Sequence, residues 1–123
     1  MNFINKKILE YSIKNSDPPS NLLNDLEQET NQKILQPRML SGNFQGRFLS
    51  FLSKITKPRS VIEIGTYTGY SALCIAEGLH PKGIIHTIDN LTLKIDNLKN
   101  NFLIKKINYI KNKNLKILHI GNF

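Results

Sequence analysis

Residues 61–71 read Val-Ile-Glu-Ile-Gly-Thr-Tyr-Thr-Gly-Tyr-Ser, and the fold turns on how this stretch is understood. A short apolar run carrying one acid, Glu63, stops at Gly65, and a second glycine follows at Gly69. Val61, Ile62 and Ile64 suit a parallel strand with both faces covered, which shows little alternation. The glycines suit a tight strand-to-helix turn in which the backbone approaches a ligand closely. A second apolar run, residues 84–88, is followed by Asp89. An acid at the end of the second strand of such a unit is placed to bind ribose hydroxyls. These features together describe a pocket for a nucleoside-containing cofactor.

Outward from this centre the pattern continues as alternating elements. A helix is expected over 70–79, ended by His80-Pro81-Lys82-Gly83, and another over 91–107, with Ile95, Leu98 and Phe102 inward. Residues 108–114 read as a polar connection and 115–120 as a third strand. Three helices precede the first strand. The first falls within 2–14. The second opens at Asp17 as N-cap with Pro18 at its first position, carries Leu22, Leu23 and Leu26, and ends near Thr30. A loop with Pro37 and Gly42 leads to a third helix over 43–57, ended by Pro58. Its stripe of Phe44, Phe48, Phe51, Leu52 and Ile55 reads as core. The expected class is α/β: N-terminal helices over 1–57, then β-α-β-α-β over 58–123, forming one domain with a parallel sheet and right-handed crossovers. Three parallel strands leave two edges and an incompletely covered face.

At 123 residues the chain is one small domain or a piece of a larger one. No apolar stretch approaches the roughly 20 residues needed to span a bilayer. Lys6, Lys7 and Glu10 interrupt any signal-like segment, so a cytoplasmic protein without membrane association is expected. The single cysteine, Cys74, excludes an internal disulfide and a cysteine-rich zinc site, and its apolar neighbours make it a packing residue. A net charge of +8 invites a nucleic-acid reading. The charge is mostly lysine in the C-terminal third, with sparse glycine and aromatic interleaving. The chain is also rich in Asn, Lys and Ile, whose codons share A/T-rich composition, so nucleic acid is disfavoured as a partner.

Glu63 would be expensive to bury unpaired, so it either joins a cofactor network beneath the Gly65 turn or is held by neighbouring amides. Gly65-Thr66-Tyr67-Thr68-Gly69 is neither G-x-G-x-x-G nor a Walker A loop, which disfavours a nicotinamide-dependent oxidoreductase. Asp89 reads as a ribose ligand or as a turn aspartate capping the next helix. Ser71 reaches a ligand carboxylate or caps its own helix, and Tyr67 and Tyr70 line the pocket or pack on the surface. His80, His86 and His119 are not spaced as metal ligands, and no catalytic pair is visible.

At this point the chain resembles a known family. Residues 39–46, Met-Leu-Ser-Gly-Asn-Phe-Gln-Gly, the helix after them, and Glu63 to Ser71 resemble the cation-dependent O-methyltransferases, including the caffeoyl-CoA and catechol types and their bacterial relatives. The resemblance runs from about Tyr11 to Gly121 and covers about the first half of that family's domain. It implies a truncated Rossmann-like sheet and S-adenosylmethionine as cofactor. Glu63, Gly65 and Thr66, with Gly69 closing the turn, would surround its methionine and ribose parts. Ser71 would contact the methionine carboxylate, Asp89 the ribose, and Ser41 the amino-acid portion, with Met39 beside the acceptor. Gly121-Asn122-Phe123 resembles the start of the adenine-side loop, with Phe123 where a small residue is usual. The implied reaction transfers methyl to a hydroxyl of a small, catechol-like acceptor. The family's divalent cation is held on later strands, so its ligands and the catalytic residues are expected to be absent from this chain, and activity impaired. The alternative is an inactive cofactor-binding or protein-interaction fragment. An exposed sheet edge would favour self-association, a homodimer included.

Overall fold

The computed structural model describes residues 4–34, 36–89 and the strand 115–119. Helix α1 spans Lys6–Lys14, with the Asn5 side chain accepting from the Lys7 N–H at its start. Helix α2 spans Asn21–Lys33. Its N-cap is Ser20, not Asp17. Pro19 disfavours helical backbone at the residue before it, so the helix begins past the Pro-Pro pair, where the Ser20 hydroxyl accepts from the Leu23 N–H. It also runs a turn beyond Thr30. A single 3-10 turn, Pro37–Met39, interrupts the expected loop. Helix α3 spans Gly42–Thr56 and stops at Lys57 in left-handed conformation, ahead of Pro58.

Strand β1 (Ser60–Ile64), helix α4 (Tyr70–Ala76) and strand β2 (Ile84–Asp89) then form the βαβ unit, and β3 spans Leu115–His119. The sheet is parallel throughout, in the order β1-β2-β3. Glu63 is in register with Thr87, and Ile64 with Ile88. The α/β alternation expected from the sequence is therefore present. The expected helix over 91–107 and the segment 121–123 lie outside the described residues.

The core differs from the sequence reading in one respect. Leu23 and Leu26 of α2 meet Tyr70, Leu73 and Cys74 of α4, with Leu22, Leu40 and Leu49 packed against them. The expected stripe on α3 is not part of it. Phe44, Phe48, Phe51, Leu52 and Ile55 are exposed, and the buried residues of α3 are Gly46, Ser50 and Ser53. Those three recur at helical spacing on the opposite face. A β-carbon on Gly46 would sit 2.7 Å from Tyr70 Cε1 and 2.8 Å from Cys74 Sγ, and one on Gly78 would strike the backbone of Ser53 and Lys54. Small residues thus let α3 and α4 approach closely. Polar bonds fasten the seam: Ser53 Oγ donates to the Ile75 carbonyl, and Arg47 grips Glu77 with both terminal nitrogens at 3.0 and 2.8 Å.

The sheet is also covered less fully than the apolar run of β1 suggests. Side chains alternate across a strand. Glu63 and Thr87 turn toward α4, whereas Ile62 is 70% and Ile64 88% exposed.

Candidate functional site

The site is built where β1 ends. Gly65 has φ +95° and donates its N–H to the Ile88 carbonyl at 2.7 Å, so the chain leaves β1 while still tied to β2. Thr66 to Gly69 close a turn through a Gly69 N–H to Thr66 carbonyl bond of 2.8 Å, and Gly69 has φ +84°. Such values are cheap only for glycine. Among the described residues a β-carbon at either glycine would meet nothing within 4 Å, so they leave the space above the turn open. Tyr67 is also in the left-handed region at φ +49°, uncommon for a residue with a β-carbon, and is held at both ends. Its N–H donates to Asp89 Oδ2 at 2.6 Å, and its hydroxyl donates to the Gln36 carbonyl at 2.9 Å.

Glu63 sits beneath this turn as the acceptor of two hydroxyls: Ser71 Oγ on Oε1 and Thr87 Oγ1 on Oε2, each at 2.6 Å. Thr66 Oγ1 lies 2.6 Å from Thr87 Oγ1. Because the Thr87 proton goes to Glu63, Thr66 is the donor in that pair. The polar chain therefore runs Thr66 to Thr87 to Glu63, with Ser71 entering from α4. The Ser71 hydroxyl does not cap α4 but binds Glu63. Asp89 reaches over the glycine turn to the Tyr67 N–H and is half-buried, and the helix it would otherwise cap lies outside the described residues.

The structure thus brings Glu63, Gly65, Thr66, Gly69, Ser71 and Asp89 together. Ser41 stands at the start of α3, its side chain making no capping bond, and no hydrogen bond among the described residues joins it to that group. Thr87 and Gln36 were not singled out in the sequence. Thr87 could have been found as the polar residue opposite Glu63 once the two strands were set in register. Gln36 acts through its carbonyl, which no side-chain pattern marks. Two histidines stay outside: the His80 ring accepts from the Lys82 N–H, and His86 lies across from Ile62. Among the described residues no group of three or more His, Cys, Asp or Glu could hold a metal ion.

Behind the site, burial pushes the Cys74 thiol up to about 11 although Arg47 donates toward its sulfur. This is an inert packing residue, as its setting on an apolar helix implied. Burial opposes ionisation of Glu77, but hydrogen bonds from Arg47 and Ser50 outweigh it and hold the carboxyl below its ordinary range.

A sequence profile of one family, described as O-methyltransferase, matches residues 12–120. The chain belongs to the O-methyltransferase family. A caffeoyl-CoA O-methyltransferase of Stellaria longipes is 43% identical over 44 residues, 36% of this chain and 18% of that protein. A catechol O-methyltransferase of Mycobacterium tuberculosis is 38% identical over 53 residues, 43% of this chain and 24% of that one. Among solved structures, an O-methyltransferase from Bacillus cereus in complex with SAH superposes with a TM-score of 0.73 at 24% identity, covering 92% of this chain and 49% of its own. The SAH-bound Podospora anserina methyltransferase PaMTH1 gives 0.77 at 23%, covering 93% and 47%. The chain therefore has the methyltransferase fold over the region it shares, and spans about half the length of those structures. The resemblance read from residues 39–46 and 63–71 and the Rossmann-like class are both borne out.

Proposed function

We propose that this O-methyltransferase chain binds S-adenosylmethionine at the Gly65–Gly69 turn, and that the reaction it serves is methyl transfer to a hydroxyl of a small acceptor. The observation that carries the reading is the 2.6 Å bond from Tyr67 N–H to Asp89, which sets a carboxylate beside an open glycine turn. That arrangement suits an adenosyl ligand: the acid faces ribose hydroxyls, and the glycines admit the chain of the methionine part. Glu63 and Asp89 also suit a ligand carrying ammonium and sulfonium charges.

In this reading Asp89 holds the ribose. Gly65, Thr66 and Gly69 shape the passage for the methionine part, and Ser71 and Ser41 border its amino-acid end. Glu63, fixed by two hydroxyl donors, sets the negative charge beneath the turn. The cofactor supplies a methyl group on a positively charged sulfur, and the chain's task is to bind and orient it. The described residues do not fit a divalent-metal centre, and no step is assigned to one. Catechols and caffeoyl-CoA, named for the relatives, define the acceptor class expected here. Because the chain spans about half of its structural neighbours, cofactor binding with little turnover is expected from these 123 residues alone.

Calorimetry tests the proposal. Heat of binding is expected with S-adenosylmethionine or its demethylated product, and none with NAD. A folded sample that binds neither, or binds NAD alone, overturns it.

A further inference from the structure

We infer that Thr30 on α2 is a positioning residue for the glycine turn, holding it through the Thr68 hydroxyl in the shape that a ligand meets. The inference rests on the cofactor reading above only where a ligand is measured.

Leu23, Leu26 and Thr30 fall on one face of α2 by helical spacing, and all three are buried, Thr30 at 1% exposure. A threonine at that place brings a hydroxyl into an apolar seam, where it needs a partner. Thr30 Oγ1 donates to the Leu26 carbonyl at 2.7 Å and lies 3.3 Å from Thr68 Oγ1, which is buried as well. Thr30 has a single proton to give. With that proton on Leu26, the Thr68 hydroxyl is the donor in the second pair. Among the described residues Thr30 is the hydrogen-bond partner of the Thr68 side chain.

The turn depends on such side-chain bonds because its backbone is unusual. Gly65, Tyr67 and Gly69 all have positive φ, and the chain from Thr66 to Gly69 belongs to neither the sheet nor α4. Glycine leaves many conformers open to it. Thr66 is tied to Thr87 at 2.6 Å and the Tyr67 N–H to Asp89, so both of these tethers end on β2. Thr68 is tied to α2 instead. The turn is thus held by two elements, and Thr30 is the anchor on the second. A ligand that meets a preformed turn is spared the cost of ordering it. Loss of the α2 anchor would return that cost to the binding step. At 3.3 Å the anchor is slacker than the Thr66–Thr87 bond, which keeps the expected effect modest.

Two variants of the full 123-residue chain test this. Thr30→Val keeps the shape and removes the hydroxyl. Thr68→Val removes the same bond from the other side and leaves the Thr30 to Leu26 bond in place. Amide hydrogen exchange is read first, without ligand. Expected in both is at least about threefold faster exchange at Tyr67 and Gly69, whose N–H groups bond to Asp89 and to the Thr66 carbonyl. Thr30→Ser should keep the wild-type rate, and the double valine variant should be no faster than the faster single one, as for one shared interaction. Calorimetry with S-adenosylhomocysteine should then show affinity reduced by about three- to tenfold, the range of one neutral hydrogen bond. Ile85→Val, in the core at the far end of β2, is the control. It should lower the melting temperature while leaving the affinity and the two amides unchanged. Wild-type exchange in both valine variants overturns the inference, as does equal acceleration in Ile85→Val. If Thr30→Val does not fold, Thr68→Val decides. Ligand binding by the wild type with unchanged affinity in the valine variants overturns the inference and leaves the cofactor standing. Faster exchange at the turn in a protein whose wild type binds no S-adenosylhomocysteine supports the anchor and sinks the proposed cofactor.

Discussion

The hydroxyl of Thr87 donates to Oε2 of Glu63 across 2.6 Å, joining two residues that are exact-register partners on neighbouring strands. An acid in the first strand is thus made tolerable by the second, and the same threonine accepts from Thr66 at the start of the glycine turn. Thr87→Val keeps the shape but removes both bonds. Leaving a partly buried carboxylate short of a donor should cost about 1–3 kcal/mol. Urea denaturation would measure it, with Thr87→Ser recovering most of the loss. A change near zero for Thr87→Val would mean that the polar chain contributes nothing to holding Glu63.

Asp89→Asn and Asp89→Ala separate two duties of one side chain. Asparagine retains an oxygen for the Tyr67 N–H, so the turn should stay formed; alanine should loosen it. Both should weaken S-adenosylhomocysteine by about tenfold or more, on the order of one charge-assisted hydrogen bond. Calorimetry gives the affinity, and thermal melting the stability. Equal affinity in wild type and Asp89→Asn would remove the carboxylate from the site.

Tyr67→Phe deletes the bond to the Gln36 carbonyl and leaves the ring. The global stability change should be about 1 kcal/mol or less. The local effect should be larger: faster amide exchange in the 36–41 segment, with the βαβ unit unaffected. Unchanged exchange there would show that other contacts hold the segment.

Acid should weaken the α3–α4 seam. The folded Glu77 carboxyl is lowered from 4.5, so its stabilisation is present above about pH 4.5 and is lost as pH falls through the lower folded value. Denaturation midpoints should fall as the pH drops below about 4.5, and Glu77→Gln should flatten that slope while lowering stability at pH 7. A wild-type profile no steeper than that of Glu77→Gln would contradict this. At the other extreme, Cys74 is raised from 9.0 to about 11, so its contribution is complete below pH 9 and declines as pH rises through 11.

Gly46→Ala asks how tight the seam is. The added carbon falls within 2.8 Å of Tyr70 and Cys74, an overpacking that should cost about 1–3 kcal/mol by thermal melting. Gly65→Ala meets open space, so its cost should come from the backbone, about 1–2 kcal/mol, together with loss of ligand affinity.

Much of this was legible in the residues. Two apolar runs, the glycine spacing and the acid after the second run gave the βαβ unit and six of the seven expected site residues as neighbours, because these are local patterns with one physical solution. The orientation of α3 was not legible. Its sequence carries two faces, one of phenylalanines and one of glycine and serine, and hydrophobicity alone selects the wrong one. What decided the matter was close approach and the Arg47–Glu77 clamp, both of which depend on residues far along the chain. Asp17 lost the capping role to Ser20 for a local reason, the second proline, that was visible but outweighed by the attraction of Pro18 at a helix start. The roles of Thr87 and Gln36 depend on register and on a carbonyl, and neither leaves a mark in composition.

The glycine and serine seam has a mechanical consequence. Helices joined by large interlocking side chains can slide by swapping rotamers, whereas backbones in near contact cannot. The segment bearing Ser41 and the helix bearing Ser71 are therefore coupled as one lever. A displacement at the start of α3 reaches the start of α4 without being absorbed in between.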